Sequence, residues 1–269
     1  MSTPDETPLL VRRNGAVVRA VLNRPARRNA MNGELVERLD ALLAELAGDH
    51  AARVLVISGA GGHFCAGLDL SEAGKPLPPE EKLAQQLDRN RRTAARLAAI
   101  AALPQVVIAE VEGSAFAGGL GLVCAADLAL ASAEARFAAP EVRRGLVPAQ
   151  ILPWLTHRMG RSQAGRLVLQ GSAMDAPQAL AVGLVHEVLP GAAALAARTA
   201  AVVADVLQGA PGALAETKAL LAALGDPVPP RYAEAGAQAF ARCAAGNEAG
   251  EGIAAFKAKR PPAWALSPA

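Results

Sequence analysis

The sequence predicts an α/β fold, and three observations carry that prediction. Two short apolar runs, residues 54–58 and 106–111, read as strands, the first of them buried on both faces. Segments with apolar residues at three- and four-residue intervals alternate with them, which is the spacing of helices with one buried stripe. Each strand then runs into a glycine-containing segment, and the loops at strand ends are where α/β proteins seat their ligands.

Taken in order, residues 9–13 and 16–22 are two apolar runs separated by Asn14-Gly15, a dipeptide that accepts the positive φ of a tight hairpin turn. From Met31 the period changes. Leu35, Leu39, Leu42, Leu43 and Leu46 form one helical stripe, with Asn32 as its N-cap and Gly48 as its stop. The strand at 54–58 ends in Gly59, Gly61 and Gly62. A second helix is expected over residues 79–101, a strand over 106–111 followed by Gly113, and a third strand over 128–131. Beyond Pro148 the pattern is helical, interrupted at Gly160, Gly171, Pro190, Pro211 and residues 226–230. A change in composition near residue 205 divides the chain into a core, 1–205, and a helical C-terminal part, 206–269.

Composition narrows the function. Apolar residues make up 52% of the 269-residue chain but aromatics only 3%, so Ala, Leu and Val must fill the core. With 27 Lys and Arg against 25 Asp and Glu, the charge of +2 argues against nucleic acid as a partner. Cys65, Cys124 and Cys243 are far apart and odd in number, which suggests neither a disulfide framework nor a zinc site. The polar opening carries Asp5 and Glu6 where a signal peptide has basic residues, and Arg198 and Asp205 interrupt the Ala-rich stretch 191–207, so a cytoplasmic location and no membrane span are expected.

Two loops stand out: His63-Phe64-Cys65-Ala66-Gly67-Leu68-Asp69-Leu70, and Gly113-Ser114-Ala115-Phe116-Ala117-Gly118-Gly119-Leu120-Gly121. Their glycines serve either tight turns and close packing or the approach of a ligand to the main chain, where free N–H groups at a helix start hold an anion. Neither loop has the order of a phosphate-cradling or dinucleotide fingerprint. Together with Asn23-Arg24-Pro25, Arg28-Asn29-Ala30-Met31, Ala126-Asp127-Leu128-Ala129-Leu130-Ala131, Phe137-Ala138-Ala139-Pro140-Glu141, Gly145-Leu146-Val147-Pro148 and the closing Ala255-Phe256-Lys257-Ala258-Lys259-Arg260-Pro261, they resemble the crotonase (enoyl-CoA hydratase/isomerase) superfamily over nearly the whole chain.

The resemblance implies an α/β crotonase-like spiral core of repeated ββα units with a C-terminal helical trimerisation part. It implies an acyl-CoA thioester as substrate, no cofactor apart from the coenzyme A of that substrate, no metal, and a homotrimer or dimer of trimers. Two main-chain N–H groups, assigned to Ala66 and Gly118, would hold the thioester oxygen as it gains charge, and Glu141 would carry the proton. Coenzyme A would lie along Ala66, Asp69 and Leu70, with its phosphates near Arg24, Arg28 and Lys259 of a neighbouring subunit and Phe256 close by. For Arg27, Arg28 and Lys259 a solvated basic face is the alternative, and for Phe256 a packing role.

The chain departs from the family pattern at Gly121, where typical hydratases carry a second glutamate. A single-glutamate Δ3-Δ2 isomerase, a hydratase whose substrate helps to hold water, a hydrolase or decarboxylase, and an acyl-CoA-binding paralogue without activity all remain open. The segments 119–124 and 143–151, and the tail around Trp264, resemble the methylglutaconyl- and isohexenylglutaconyl-CoA hydratase branch, which favours hydration of a carboxylated 2-enoyl-CoA. Arg143 or Arg144 would then face the distal carboxylate, unless both are surface residues.

Overall fold

The computed structural model describes residues 7–69, 71, 78–224 and 232–263. Strands β1 (Leu9–Asn14) and β2 (Val17–Leu22) form the expected antiparallel hairpin, with Gly15 at φ +56° in the turn. Helix α1 (Gly33–Ala47) starts where the Asn32 side chain accepts the Leu35 N–H, and the buried residues on it are the five leucines of the stripe. There follow β3 (Val54–Gly59), α2 (Pro79–Ala102), β4 (Val106–Val111), β5 (Ser114–Phe116), α3 (Gly118–Ala125), β6 (Leu128–Ser132) and β7 (Arg136–Ala138). After a 3-10 turn at Glu141–Arg144 come α4 (Leu152–Gln170), β8 (Met174–Asp175), α5 (Ala176–Ala181), β9 (Glu187–Leu189), α6 (Ala192–Gln208), α7 (Pro211–Leu224), α8 (Tyr232–Ala245) and α9 (Asn247–Lys257).

A six-stranded sheet has the order β1-β2-β3-β4-β6-β9, parallel except for the hairpin, and a three-stranded sheet has the order β5-β7-β8. Successive strand–strand–helix turns, β4-β5-α3 and then β6-β7-α4, send one strand to each sheet. This is the repeated ββα architecture of a crotonase-like spiral, in an α/β fold. β3 shows why its sequence lacks alternation. Leu55 and Ile57 join the main core while Val54 and Val56 face a second cluster under α6, so both faces are apolar. Residue 205 falls inside α6, which packs on β3, β4, β6 and β9, so the change in composition there does not coincide with the end of an element.

The C-terminal helices return to the N-terminal half. α8 lies along α2, tied by a bidentate Arg91–Glu234 pair, and α9 lies on the 3-10 turn. There the backbones nearly touch: a Cβ on Gly145 would stand 2.5 Å from the Glu248 carbonyl carbon, and one on Gly252 2.7 Å from that of Arg144. No single helix among the described residues is long and apolar enough to cross a membrane.

Asn29 is a buried polar knot at the end of β3, in the left-handed region at φ +57°. Its amide donates to the carbonyls of Ala60 (2.8 Å) and His63 (2.6 Å), and its oxygen accepts the Arg24 N–H (2.8 Å). Asn29→Ala is expected to lower the free energy of unfolding by roughly 3 kcal/mol, as buried partners are left unpaired. Arg38→Ala, which breaks an exposed i,i+4 pair with Glu34, should change it by less than about 0.5 kcal/mol in the same urea titrations.

Candidate active site

The segment Cys65–Asp69 is held edge to edge between two partners, and its amide pattern determines which N–H groups are available. Cys65 donates to Ser114 (2.8 Å) and accepts from Phe116 (2.9 Å). On the opposite edge Met31 donates to Gly67 (2.7 Å) and accepts from Asp69 (2.9 Å), a parallel bridge in which the N–H and C=O of Leu68 turn away from Met31. The Ala66 N–H donates to the Arg28 carbonyl at 2.9 Å. That bond occupies the amide that the sequence assigns to the oxyanion. Two residues on, the Leu68 N–H has no acceptor among the described residues, and Leu68 lines the cavity.

The second loop meets the first at Gly67. A Cβ there would lie 2.9 Å from the Ala117 Cβ and 3.6 Å from the Gly118 nitrogen, and φ at Gly67 is +93°. Gly118 is the first residue of α3, so its N–H has no partner within the helix, and a Cβ on Gly119 would stand 2.5 Å from the Cys65 oxygen. The chain thus brings the Leu68 and Gly118 amides side by side at the wall of a cavity of about 830 Å3.

Glu141 lines the same cavity, and its Oε2 is buried without a hydrogen-bond partner among the described residues. Burial pushes its carboxyl up to about 7, against the opposing pull of its own backbone N–H and of Arg144. Arg144 also lines the cavity. Its guanidinium lies over the Phe256 ring, 4.3 Å from the centroid, and its Nε has no partner among the described residues. Arg143 points elsewhere, donating to the Gln170 carbonyl at 3.0 Å. The position expected to lack a second glutamate is closed as well: a Cβ on Gly121 would stand 2.6 Å from Ile151 Cγ2 and 3.3 Å from Leu97 Cδ1.

The other expected residues divide. Asp69 lines the cavity. Burial alone would raise its carboxyl, but Ser71 and Arg24 outweigh that and hold it below the usual range. Arg24 is committed to Asp69 at 2.8 Å and to the Ala30 carbonyl and does not line the cavity, so the structure corrects its expected place beside a phosphate. Arg28 and Lys259 are exposed and outside the lining, where Arg27 and Lys257 stand instead. Phe256 lines the cavity while 54% exposed, and Leu70 and Trp264 lie outside the described residues. His63 holds the Ser114 hydroxyl at 2.8 Å and is not part of the lining. Sequence reasoning missed the Leu68 amide, for which its apolar side chain gives no signal, and the polar groups Asn90, Thr93 and Arg96, which α2 brings to the opposite wall. Among the described residues no cluster of metal-ligating side chains occurs.

The profile of the enoyl-CoA hydratase/isomerase family matches residues 12–266. The 2,3-dehydroadipyl-CoA hydratase of Escherichia coli is 37% identical over 183 residues, 68% of this chain and 69% of that protein. The mitochondrial enoyl-CoA hydratase domain-containing protein 2 of Bos taurus is 37% identical over 178 residues, 64% of this chain, and the match spans only 57% of the bovine protein. An enoyl-CoA hydratase from Mycobacterium avium superposes with a TM-score of 0.85 at 35% identity, covering 97% of this chain and 100% of that one.

The raised Glu141 carboxyl has a consequence for stability that needs no substrate. Unfolded, the group titrates near the ordinary 4.5; folded, it titrates near 7, so between these values the native state binds more protons and stability falls as pH rises. Glu141→Gln should therefore be more stable than the parent above pH 7, by roughly 3 kcal/mol, and the gain should vanish below pH 4.5. Urea denaturation of both proteins across this range measures the difference.

Proposed function

The chain belongs to the enoyl-CoA hydratase/isomerase family, and on that premise we propose that it adds water across the double bond of a 2-enoyl-CoA, with the Leu68 and Gly118 amides as oxyanion donors and Glu141 as the proton carrier. The observation that carries this reading is a buried carboxyl poised near pH 7 in one cavity with two main-chain N–H groups that have no acceptor among the described residues. As the ionised Glu141 takes a proton from water, the water oxygen bonds to C3 and the π electrons move onto the thioester oxygen. There they meet two fixed donors, a contribution of about 3 kcal/mol per donor. Glu141 then returns the proton to C2, so water is consumed and the carboxylate is restored.

The acyl group proposed is a branched, carboxylated one of the glutaconyl type. Support comes from Arg144, which lines the cavity, acts electrostatically on Glu141 and has an unpartnered Nε among the described residues, and from the E. coli relative, whose name gives a dicarboxylic acyl-CoA. The coenzyme A would run past Asp69 and Arg27. Assembly into a homotrimer or dimer of trimers and a cytoplasmic location belong to the same reading; exposed Leu220 and Leu221 on α7 supply apolar surface for a neighbour.

One observation favours a second reading, Δ3-Δ2 isomerisation. The space beside Gly121 is filled by Ile151 and Leu97, so no second protein carboxylate holds water there, and Glu141 alone would move a proton from C2 to C4.

Incubation with 2-enoyl-, 3-enoyl- and 3-methylglutaconyl-CoA in deuterated water, with products read by mass, separates the two. Added water is expected; solvent deuterium without added oxygen makes it an isomerase, and unchanged thioester makes it a binder. Glu141→Gln should lower kcat by roughly 100- to 10,000-fold, and in the parent kcat/KM should fall as pH drops below about 7. Arg144→Met should raise KM for the carboxylated substrate at least about tenfold relative to crotonyl-CoA, the loss of one charge-assisted contact. Arg143→Ala should leave that ratio alone.

A further inference from the structure

The Gly118 amide sits at the start of a short helix that apolar packing holds in the core but that has no side-chain cap at its N-terminus. α3 is eight residues long, buried from Gly119 to Ala125, and has no side-chain N-cap; at its head Ala117 is forced to φ +50° while its N–H donates to the Ala138 carbonyl at 2.8 Å. A buried helix end leaves carbonyls that must find donors. At the tail of α3 they find one side chain. Arg158 of α4 donates to the carbonyls of Val123 (3.3 Å), Cys124 (3.2 Å) and Ala126 through one nitrogen, and to that of Asp127 (3.3 Å) through the other. Asp127 is itself tied to the Val107 N–H (2.7 Å) and to Lys218 (2.5 Å), which completes the anchorage of the chain leaving α3.

We propose that Arg158 is a positioning residue for the oxyanion site, because its guanidinium fixes the axial position of α3 and so the place of the Gly118 N–H at the opposite end. The inference rests on the reading of Gly118 as an oxyanion donor. Its physical basis is the length of the lever. At 1.5 Å per residue the two ends of α3 are about 12 Å apart, so Arg158 touches no reacting atom, yet a rigid helix transmits an axial slip at one end undiminished to the other. The planar fork reaches several carbonyls at once, a geometry a lysine ammonium cannot reproduce. A cation at this end also matches the negative pole of the helix dipole.

Arg158→Met and Arg158→Lys test this in the full-length protein. With a 2-enoyl-CoA, Arg158→Met is expected to lower kcat roughly 10- to 100-fold while KM changes less than about threefold, as for a donor displaced by a fraction of an ångström. Arg158→Lys should lie between that variant and the parent. Bound acetoacetyl-CoA, whose enolate absorbs in the near ultraviolet, should ionise less readily in Arg158→Met. In Arg158→Ala, millimolar guanidinium should restore part of both signals, which a general loss of stability would not allow. Hydrogen exchange of the first-turn amides of α3 gives a readout without substrate and should be faster in Arg158→Met. Folded Arg158→Met with parental kcat, enolate formation and exchange would overturn the proposal. If Arg158→Met does not fold, Arg158→Lys decides on the same measurements. If the parent takes up no acetoacetyl-CoA, the reading of the site fails, and α3 exchange alone then decides whether Arg158 positions the helix.

Discussion

A buried backbone N–H without an acceptor costs about 1 to 3 kcal/mol, so proteins rarely leave one, and a fold that leaves two side by side must hold them in place. Here the constraint is met by strand pairing on both edges of one segment. Cys65 is satisfied by β5, Ala66 by Arg28, and Asp69 by Met31; the chain turns at Gly67, and the parallel bridge to Met31 then directs the Leu68 amide away from that edge, with no acceptor among the described residues. Gly67 and Gly119 lack the Cβ atoms that would force the two loops apart. The hairpin and the Asn29 knot lie outside the cavity lining, and Met31, which is part of it, holds the flanking Gly67 and Asp69 groups so that the Leu68 amide is left without an acceptor among the described residues.

The same withdrawal from water governs the carboxyl group. Desolvation disfavours the charged form of Glu141, and Arg144 recovers only part of the loss. Arg144 in turn lies over the ring of Phe256 of α9, a helix whose backbone lies against the Glu141 turn at Gly145 and Gly252. The C-terminal helix is thus a wall of this chain's own site. On the side where Gly121 stands, Ile151 and Leu97 fill the space that a side chain there would need.

Much of this is legible in the sequence, because it is local. The Asn14-Gly15 turn, the five-leucine stripe of α1 and the doubly apolar β3 follow from periods of two and 3.6 and from turn chemistry over a few residues. The two glycine loops and Glu141 were also legible, as a pattern. What was not legible depends on pairing across long separations. Which amide of Phe64-Cys65-Ala66-Gly67-Leu68 is free is decided by Arg28 and Met31, and nothing in the side chains of Ala66 or Leu68 announces it. Arg24 carries a charge suited to phosphate, but Asp69 comes within 2.8 Å and takes it. Arg143 and Arg144 are neighbours in sequence, and the tight turn that Gly145 closes at φ +67° sends them in different directions. The composition change near residue 205 falls within α6, so it does not mark the end of an element.

The account rests on the convergence of the Leu68 and Gly118 amides, and a crystal structure with a non-hydrolysable acyl-CoA thioether or a slowly reacting enoyl-CoA bound tests it most directly. The acyl carbonyl oxygen is expected within about 3.1 Å of both nitrogens, with Glu141 over the C2–C3 bond and the Ala66 N–H still on Arg28. An oxygen directed away from both amides, or held by Ala66 after that bond has broken, would contradict it.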